Sequence, residues 1–113
     1  MIRLPSIKTL SRVFSDPKRA RQILEMTRAE LIENCPAAAK RDRESWHPHK
    51  TFVLRLDALN EIEPGLCGAE SFQTRAGEYV EYLNAGDTYT PTLIYFRGRY
   101  SIGAWGDIAE RLA

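Results

Sequence analysis

The sequence lacks the features that most readily assign a protein to a class. It has only 2 cysteines and 2 histidines among 113 residues, and two cysteines are too few for a disulfide framework. No apolar run approaches the roughly 20 residues of a membrane-spanning helix. The N-terminus carries Arg3 and Lys8 but no apolar segment. We therefore expect no secretory signal, a cytoplasmic protein and reduced cysteines.

An excess of one charge sign is also missing. The chain has 16 basic and 15 acidic side chains, which argues against a strongly basic polyanion-binding protein. The distribution is uneven, because residues 1–50 hold eleven Lys and Arg against six Asp and Glu, a net +5, whereas residues 51–113 hold five against nine, a net −4. This asymmetry fits a basic nucleic-acid-binding surface or basic helices beside an acidic sheet. We favour the second interpretation.

The first part of the chain, about residues 1–63, carries helix signals. Ser6 can cap a short helix, and Asp16-Pro17 is a strong helix start. The apolar period that follows predicts one continuous helix over residues 17–33, although Thr27-x-x-Glu30 matches a capping box. We interpret residues 36–47 as a solvated connection, with a helical turn within it as the alternative, and residues 48–62 as a helix.

The second part, about residues 66–113, is rich in residues that favour strands. The pattern predicts strands at 69–73, 78–83, 92–96 and 99–105, with turns at 84–87 and 97–98. The third of these is apolar on both faces, which predicts a central strand of an antiparallel meander. Asp107-x-x-Glu110 predicts a capping box for a short final helix. The order of elements predicts an α+β fold within a single domain, residues 1–113.

The residues that could carry catalysis or hold a metal form no convincing group. His47-Pro48-His49 with Cys35 or Cys67 is a weak zinc pattern, because no Cys-x-x-Cys accompanies it. Cys35 follows a helix C-terminus, where the helix dipole disfavours a thiolate. We expect both cysteines to be structural, no metal and no cofactor, and we predict that the protein is not an enzyme.

One segment has a recognisable pattern. It runs Tyr-Leu-Asn-Ala-Gly-Asp-Thr-Tyr-Thr-Pro-Thr-Leu-Ile over residues 82–94, continues with Gly-Arg-Tyr at 98–100 and Trp-Gly-Asp at 105–107, and is preceded by Leu-Asn-Glu-Ile at 59–62. This pattern resembles short uncharacterised bacterial proteins associated with phages, plasmids and other mobile elements. The resemblance covers the second half of the chain and implies a biological setting, not a mechanism.

These observations lead us to expect a small module that binds another protein. We predict that its binding surface includes the hairpin tip and the facing turn, with Asp87, Tyr89, Arg97 and Arg99, because loops on rigid sheets commonly carry function and arginine with aromatic residues is typical of binding surfaces. An alternative is nucleic-acid binding through basic residues of the N-terminal helices, namely Lys8, Arg12, Lys18, Arg19, Arg21 and Arg28. A small enzyme using Cys and His is a third hypothesis.

Overall fold

The computed structural model describes residues 4–44, 50–63 and 68–112. Within these ranges the chain forms helices, then a four-stranded antiparallel sheet, then a final helix, so the predicted α+β class is confirmed. The elements are α1 Ile7–Leu10, α2 Pro17–Glu25, α3 Arg28–Asn34, α4 Pro36–Glu44, α5 Lys50–Ile62, β1 Ala69–Gln73, β2 Tyr79–Leu83, β3 Thr92–Phe96, β4 Arg99–Gly103 and α6 Trp105–Leu112.

The N-terminal helices begin at the predicted caps, but the predicted continuous helix over residues 17–33 is wrong. Asp16 caps α2 by accepting a hydrogen bond from the Arg19 N–H at 3.1 Å. The helix stops at Glu25, and α3 starts after Thr27. The Thr27 hydroxyl accepts from the Glu30 N–H, and the Thr27 N–H donates to the Glu30 carboxylate at 3.0 Å. This complete capping box satisfies two donors of a new helix, and it prevails over the continuous apolar period.

The expected solvated connection is wrong over residues 36–44, because they form the helix α4, which is longer than the single helical turn considered as the alternative. Residues 45–47 lie outside the described residues. Pro36 occupies the first helical position, where its missing N–H costs nothing. Ala38 and Ala39 are buried, and the Ala38 N–H donates to the Glu61 carboxylate on α5. Tertiary contacts that short sequence patterns do not reveal therefore stabilise this helix. The predicted helix start at Pro48 lies outside the described residues.

The strands follow one another in the order β1-β2-β3-β4, so β3 is an inner strand as predicted. Tyr95 of β3 lies opposite Glu81 on one side and Tyr100 on the other. The β3–β4 hairpin turns through Arg97 and Gly98, whose φ angles are 50° and 80°. Two positive φ angles are the signature of a type I′ turn, which matches the twist of the flanking strands.

The two faces of the sheet pack against different helices. Leu83, Leu93 and Tyr95 face the main core, which is built with side chains of the five N-terminal helices. Val80 and Ile94 face the other way and pack with Trp105 and Ile108 of α6. The sheet therefore lies between two helical layers, and α6 alone supplies the second layer among the described residues.

The final helix begins three residues earlier than the predicted cap at Asp107 requires. Helix α6 starts at Trp105, so Asp107 lies in its first turn and is not the N-cap. The prediction was wrong because β4 ends at Gly103, before Trp105, and because the Gly106 N–H already donates to the Thr88 carbonyl at 3.0 Å. A backbone group of the β2–β3 loop thus satisfies one of the free N–H groups of the helix.

Candidate functional site: an arginine groove between β4 and α6

Helix α6 crosses one face of the sheet and leaves part of it uncovered. Trp105 stacks on Tyr82 with ring centroids 4.9 Å apart, and it contacts Phe72 with centroids 6.1 Å apart. These contacts seat the start of the helix over β1 and β2. A groove of about 630 Å³ remains between its last turns and the β3–β4 hairpin. We call it the arginine groove, and it is lined by Phe96, Arg97, Arg99, Ser101, Ile108, Arg111 and Leu112.

Strand alternation and helical spacing together build this groove. Arg99 and Ser101 are two apart on β4, so their side chains lie on the same face of the sheet. Ile108 and Arg111 are three apart on α6, so they share one side of the helix. The groove therefore combines apolar side chains with arginines and one serine hydroxyl.

The three arginines of the groove differ in their partners. Arg97 donates to the Glu78 carboxylate through Nε at 2.8 Å and Nη2 at 2.6 Å. Its guanidinium also lies 4.8 Å from the centroid of the Phe96 ring. Arg99 and Arg111 are both exposed, and neither has a hydrogen-bond or ion-pair partner among the residues that the structure describes. The groove thus presents two unneutralised guanidinium groups.

The Glu78–Arg97 pair shifts the titration of both groups. Hydrogen bonds from Arg97 hold the pKa of the Glu78 carboxyl below its ordinary value, and desolvation only partly opposes this effect. The same hydrogen bonds raise the pKa of Arg97. Arg97 therefore makes an intramolecular contact, whereas Arg99 and Arg111 have no such partner among the described residues.

The predicted site residues of the β2–β3 loop make internal contacts. The Asp87 carboxylate accepts from the Tyr89 N–H at 2.8 Å, which forms an Asx turn. The Tyr89 hydroxyl donates to the Glu110 carboxylate on α6, and this contact raises the pKa of the phenol. These polar groups fix the loop onto α6, so folding accounts for their presence.

The structure separates the four predicted site residues into two pairs. Strand β3 starts after the loop that holds Asp87 and Tyr89, and it ends at the hairpin that holds Arg97 and Arg99. Five extended residues lie between them, so the two pairs are on the order of 15 Å apart along the sheet. The hairpin and the loop do not face each other. The binding role of each pair stays a prediction.

Sequence reasoning missed Ser101, Arg111 and the apolar residues of the groove. The spacing of Ile108, Arg111 and Leu112 on a short helix is a signal that could have placed these three side chains on one side of it. The contact between that side and β4 depends on how α6 crosses the sheet, which no local pattern encodes.

The basic N-terminal residues are only partly available. Arg21 pairs with Glu25 at 3.1 Å, Arg28 pairs with the buried carboxylate of Asp42, and Arg19 donates to Gln22. The remaining three, which are Lys8, Arg12 and Lys18, are exposed. Two of the six basic residues, Arg21 and Arg28, are therefore neutralised by ion pairs within the fold.

The structure gives little support to the hypothesis of a small enzyme that uses Cys and His. Cys35 is 3% exposed, and its burial raises the pKa of the thiol, which disfavours a reactive thiolate. His47, His49 and Cys67 lie outside the described residues. Among residues 4–44, 50–63 and 68–112, no three His, Cys, Asp or Glu side chains are grouped as a metal would require.

Comparisons with known proteins add no assignment. No family model, no curated protein and no solved structure matches the chain. Within the described part of the chain, every helix is too short or too polar to span a bilayer.

Proposed function

We propose that the protein is a small, non-enzymatic cytoplasmic module that binds another protein through the arginine groove. The observation that carries this proposal is that Arg99 and Arg111, which have no partner among the described residues, lie beside the apolar side chains of Phe96, Ile108 and Leu112. Arginine at the edge of an apolar patch is typical of protein-binding surfaces. The resemblance of residues 82–107 to mobile-element proteins supports a bacterial setting of that kind.

The small number of available arginines favours a protein over a nucleic acid at this groove. Among the described residues the groove offers two exposed arginines without a partner, fewer than the several phosphate contacts that a nucleic-acid-binding surface makes. A partner protein needs only a local acidic group opposite the two arginines. The alternative, nucleic-acid binding, rests on the exposed Lys8, Arg12 and Lys18, which belong to another part of the molecule.

Photo-crosslinking from within the groove tests the proposal. A photoreactive amino acid replaces Ser101 in the full chain, which is expressed in its native host, and the adducts are identified by mass spectrometry. We expect a discrete protein adduct that disappears in the Arg99→Glu, Arg111→Glu double variant. The matched control is Arg12→Glu, Lys18→Glu, which makes the same charge change on the N-terminal helices.

The two double variants separate the two candidate functions. Thermal unfolding first confirms that both variants are folded. If the adduct survives reversal of Arg99 and Arg111, the groove is not the binding site. If it is lost only in the Arg12 and Lys18 variant, the N-terminal helices are the better candidate, and a salt-dependent gel shift with random duplex DNA follows.

A further inference from the structure

The outer edge of β4 carries backbone groups that no other described strand pairs with. The type I′ turn makes Phe96 and Arg99 a hydrogen-bonded pair, and the antiparallel ladder then alternates. The N–H and C=O groups of Tyr100 and Ile102 consequently point away from β3. No backbone hydrogen bond from another described element reaches them. A strand edge of this kind is a template for an additional strand.

The side chains of β4 alternate in a way that would select the added strand. Arg99 and Ser101 face the arginine groove, whereas Tyr100 and Ile102 face the main core. In an antiparallel pair, residues directly opposite each other lie on the same face of the sheet. Residues of an added strand opposite Arg99 and Ser101 would therefore enter the groove, near Arg111.

We propose that the partner contributes an extended segment of alternating acidic and apolar residues, which adds to β4 as a fifth, antiparallel strand. Its acidic side chains contact Arg99 and Arg111, and its apolar side chains continue the core-facing side beyond Ile102. This inference rests on the proposed protein-binding function and specifies the partner's chemistry. Main-chain hydrogen bonds supply affinity in such strand addition, and alternate side chains supply specificity.

The observations favour an acidic peptide segment at the β4 edge over a nucleic acid and over a second copy of this chain. A nucleic acid has no row of backbone N–H and C=O groups to pair with the β4 edge. A second copy of this chain paired through β4 would bring its own Arg99 to the same face, adding positive charge to the groove. An acidic peptide satisfies both the edge and the two guanidinium groups.

Fluorescence anisotropy with short labelled peptides tests the charge and the alternation. The probe is an eight-residue peptide of alternating Glu and Val. One comparison peptide has the same composition in two blocks, and another alternates Lys and Val. We expect only the alternating Glu-Val peptide to bind, and we expect Arg99→Glu, Arg111→Glu to weaken binding about tenfold or more.

Variant controls keep this test interpretable. Arg12→Glu, Lys18→Glu carries the same change in net charge, and we expect its affinity to stay within about twofold of the parent because its charges lie outside the groove. Should Arg99→Glu, Arg111→Glu fail to fold, the Arg99→Gln, Arg111→Gln variant takes its place. Equal binding of the alternating and block peptides would overturn the inference, as would displacement of the peptide by duplex DNA.

Backbone methylation of the peptide tests strand addition without altering the protein. In an antiparallel fifth strand the apolar residues lie opposite Tyr100 and Ile102 and direct their N–H groups at β4. We expect N-methylation of the Val residues to abolish binding and N-methylation of the Glu residues to preserve it. Loss in both peptides, loss in neither, or loss only with methylated Glu would overturn the antiparallel arrangement.

The peptide and crosslinking experiments distinguish a failure of strand addition from a failure of the proposed protein-binding function. If the Ser101 adduct depends on Arg99 and Arg111 but no acidic peptide binds, strand addition by an acidic segment is wrong while the protein-binding function stands. If the adduct is absent and the peptide does not bind, both are wrong.

Discussion

The two ends of the sheet use polar side chains in different ways. At the β2–β3 loop, Asp87 and Tyr89 bond to the loop backbone and to α6. At the β3–β4 hairpin, Arg97 is paired with Glu78, but Arg99 has no partner among the described residues. Both ends contain residues of the kind that sequence reasoning associates with binding. Among the described residues, Arg99 at the hairpin has no internal side-chain partner, whereas Asp87 and Tyr89 at the loop do. We use the presence of such a partner to separate a structural polar residue from a candidate contact.

On the face of the sheet opposite the groove, β4 packs into the main core through Tyr100. The ionisation of Tyr100 tests how tightly this face of β4 is packed. Tyr100 is 4% exposed, and burial raises the pKa of its phenol from 10.0 to about 12 although Arg55 partly opposes this effect. A raised pKa means that folding favours the neutral phenol. The contribution of the Tyr100 phenol to the free energy of unfolding is therefore fully present below its pKa in the unfolded chain, and it is lost as the pH rises toward its pKa in the folded protein.

As the pH rises from about 10 to about 12, we expect the ionisation of Tyr100 to lower the free energy of unfolding by up to about 3 kcal/mol. Denaturant unfolding across this interval measures the loss. Tyr82 and Tyr95 also have raised pKa values because of burial, so the Tyr100→Phe variant is the necessary reference. If parent and variant lose stability equally over this interval, Tyr100 is not the group responsible.

At the loop end of the sheet, the β2–β3 loop packs closely against the start of α6, and the Gly106→Ala substitution tests this contact. A Cβ at Gly106 would lie 2.3 Å from the Thr88 Cγ2 and 2.9 Å from the Thr88 carbonyl oxygen. The loop must shift to accommodate it, so we expect a loss of about 1–3 kcal/mol despite the better helix propensity of alanine. Chemical denaturation measures the difference.

Gly103→Ala is the matched control for this substitution. A Cβ at Gly103 would be 3.9 Å from the Ile94 Cδ1, an ordinary contact distance, so we expect a much smaller loss of stability. Equal losses in the two variants would show that the approach of Thr88 to α6 is not tight.

The sequence predicted the strands better than the helices, for physical reasons. Alternation and turn residues are local signals, and they placed β3 within the sheet and the turn at Arg97-Gly98 correctly. The break at Thr27 depends on two hydrogen bonds prevailing over an apolar period that continues through it. Helix α4 depends on Ala38 packing against neighbouring helices, which the local composition of residues 36–47 does not reveal.

Sequence reasoning named two of the residues that line the groove. Arg97 and Arg99 were expected at a binding surface on the hairpin, and both line the groove, but their binding role stays a prediction. Arg111 was missed because it reaches the groove only through the path of α6 across the sheet. Asp87 and Tyr89 were included because their residue types are common in binding loops. Their intramolecular partners could be identified only once Glu110 was placed beside Tyr89.

The two ends can be compared directly through single substitutions to alanine. Asp87→Ala removes the acceptor of the Tyr89 N–H, and we expect a loss of about 0.5–1 kcal/mol, within the usual range for a hydrogen bond. Arg99→Ala removes a side chain without a partner, so we expect a change below about 0.5 kcal/mol. Denaturant midpoints of both variants, measured beside the parent, decide the comparison. A larger loss in Arg99→Ala than in Asp87→Ala would contradict the assignment of Arg99 as free.

The smallest expected effect distinguishes the arginines of the hairpin from one another. Because Arg97 donates two hydrogen bonds to Glu78, the pKa of that carboxyl is lowered. The stabilisation from this pair is therefore present above the ordinary pKa of glutamate and is lost as the pH falls through the lowered value. Titration of the Glu78 carboxyl by NMR should show a midpoint below that of an unperturbed glutamate, and Arg97→Gln should raise it. Arg99→Gln should leave the midpoint unchanged, because Arg99 does not contact Glu78. An equal rise in both variants would mean that the two guanidinium groups act as one diffuse charge, and Arg97 would then be as available to a partner as Arg99.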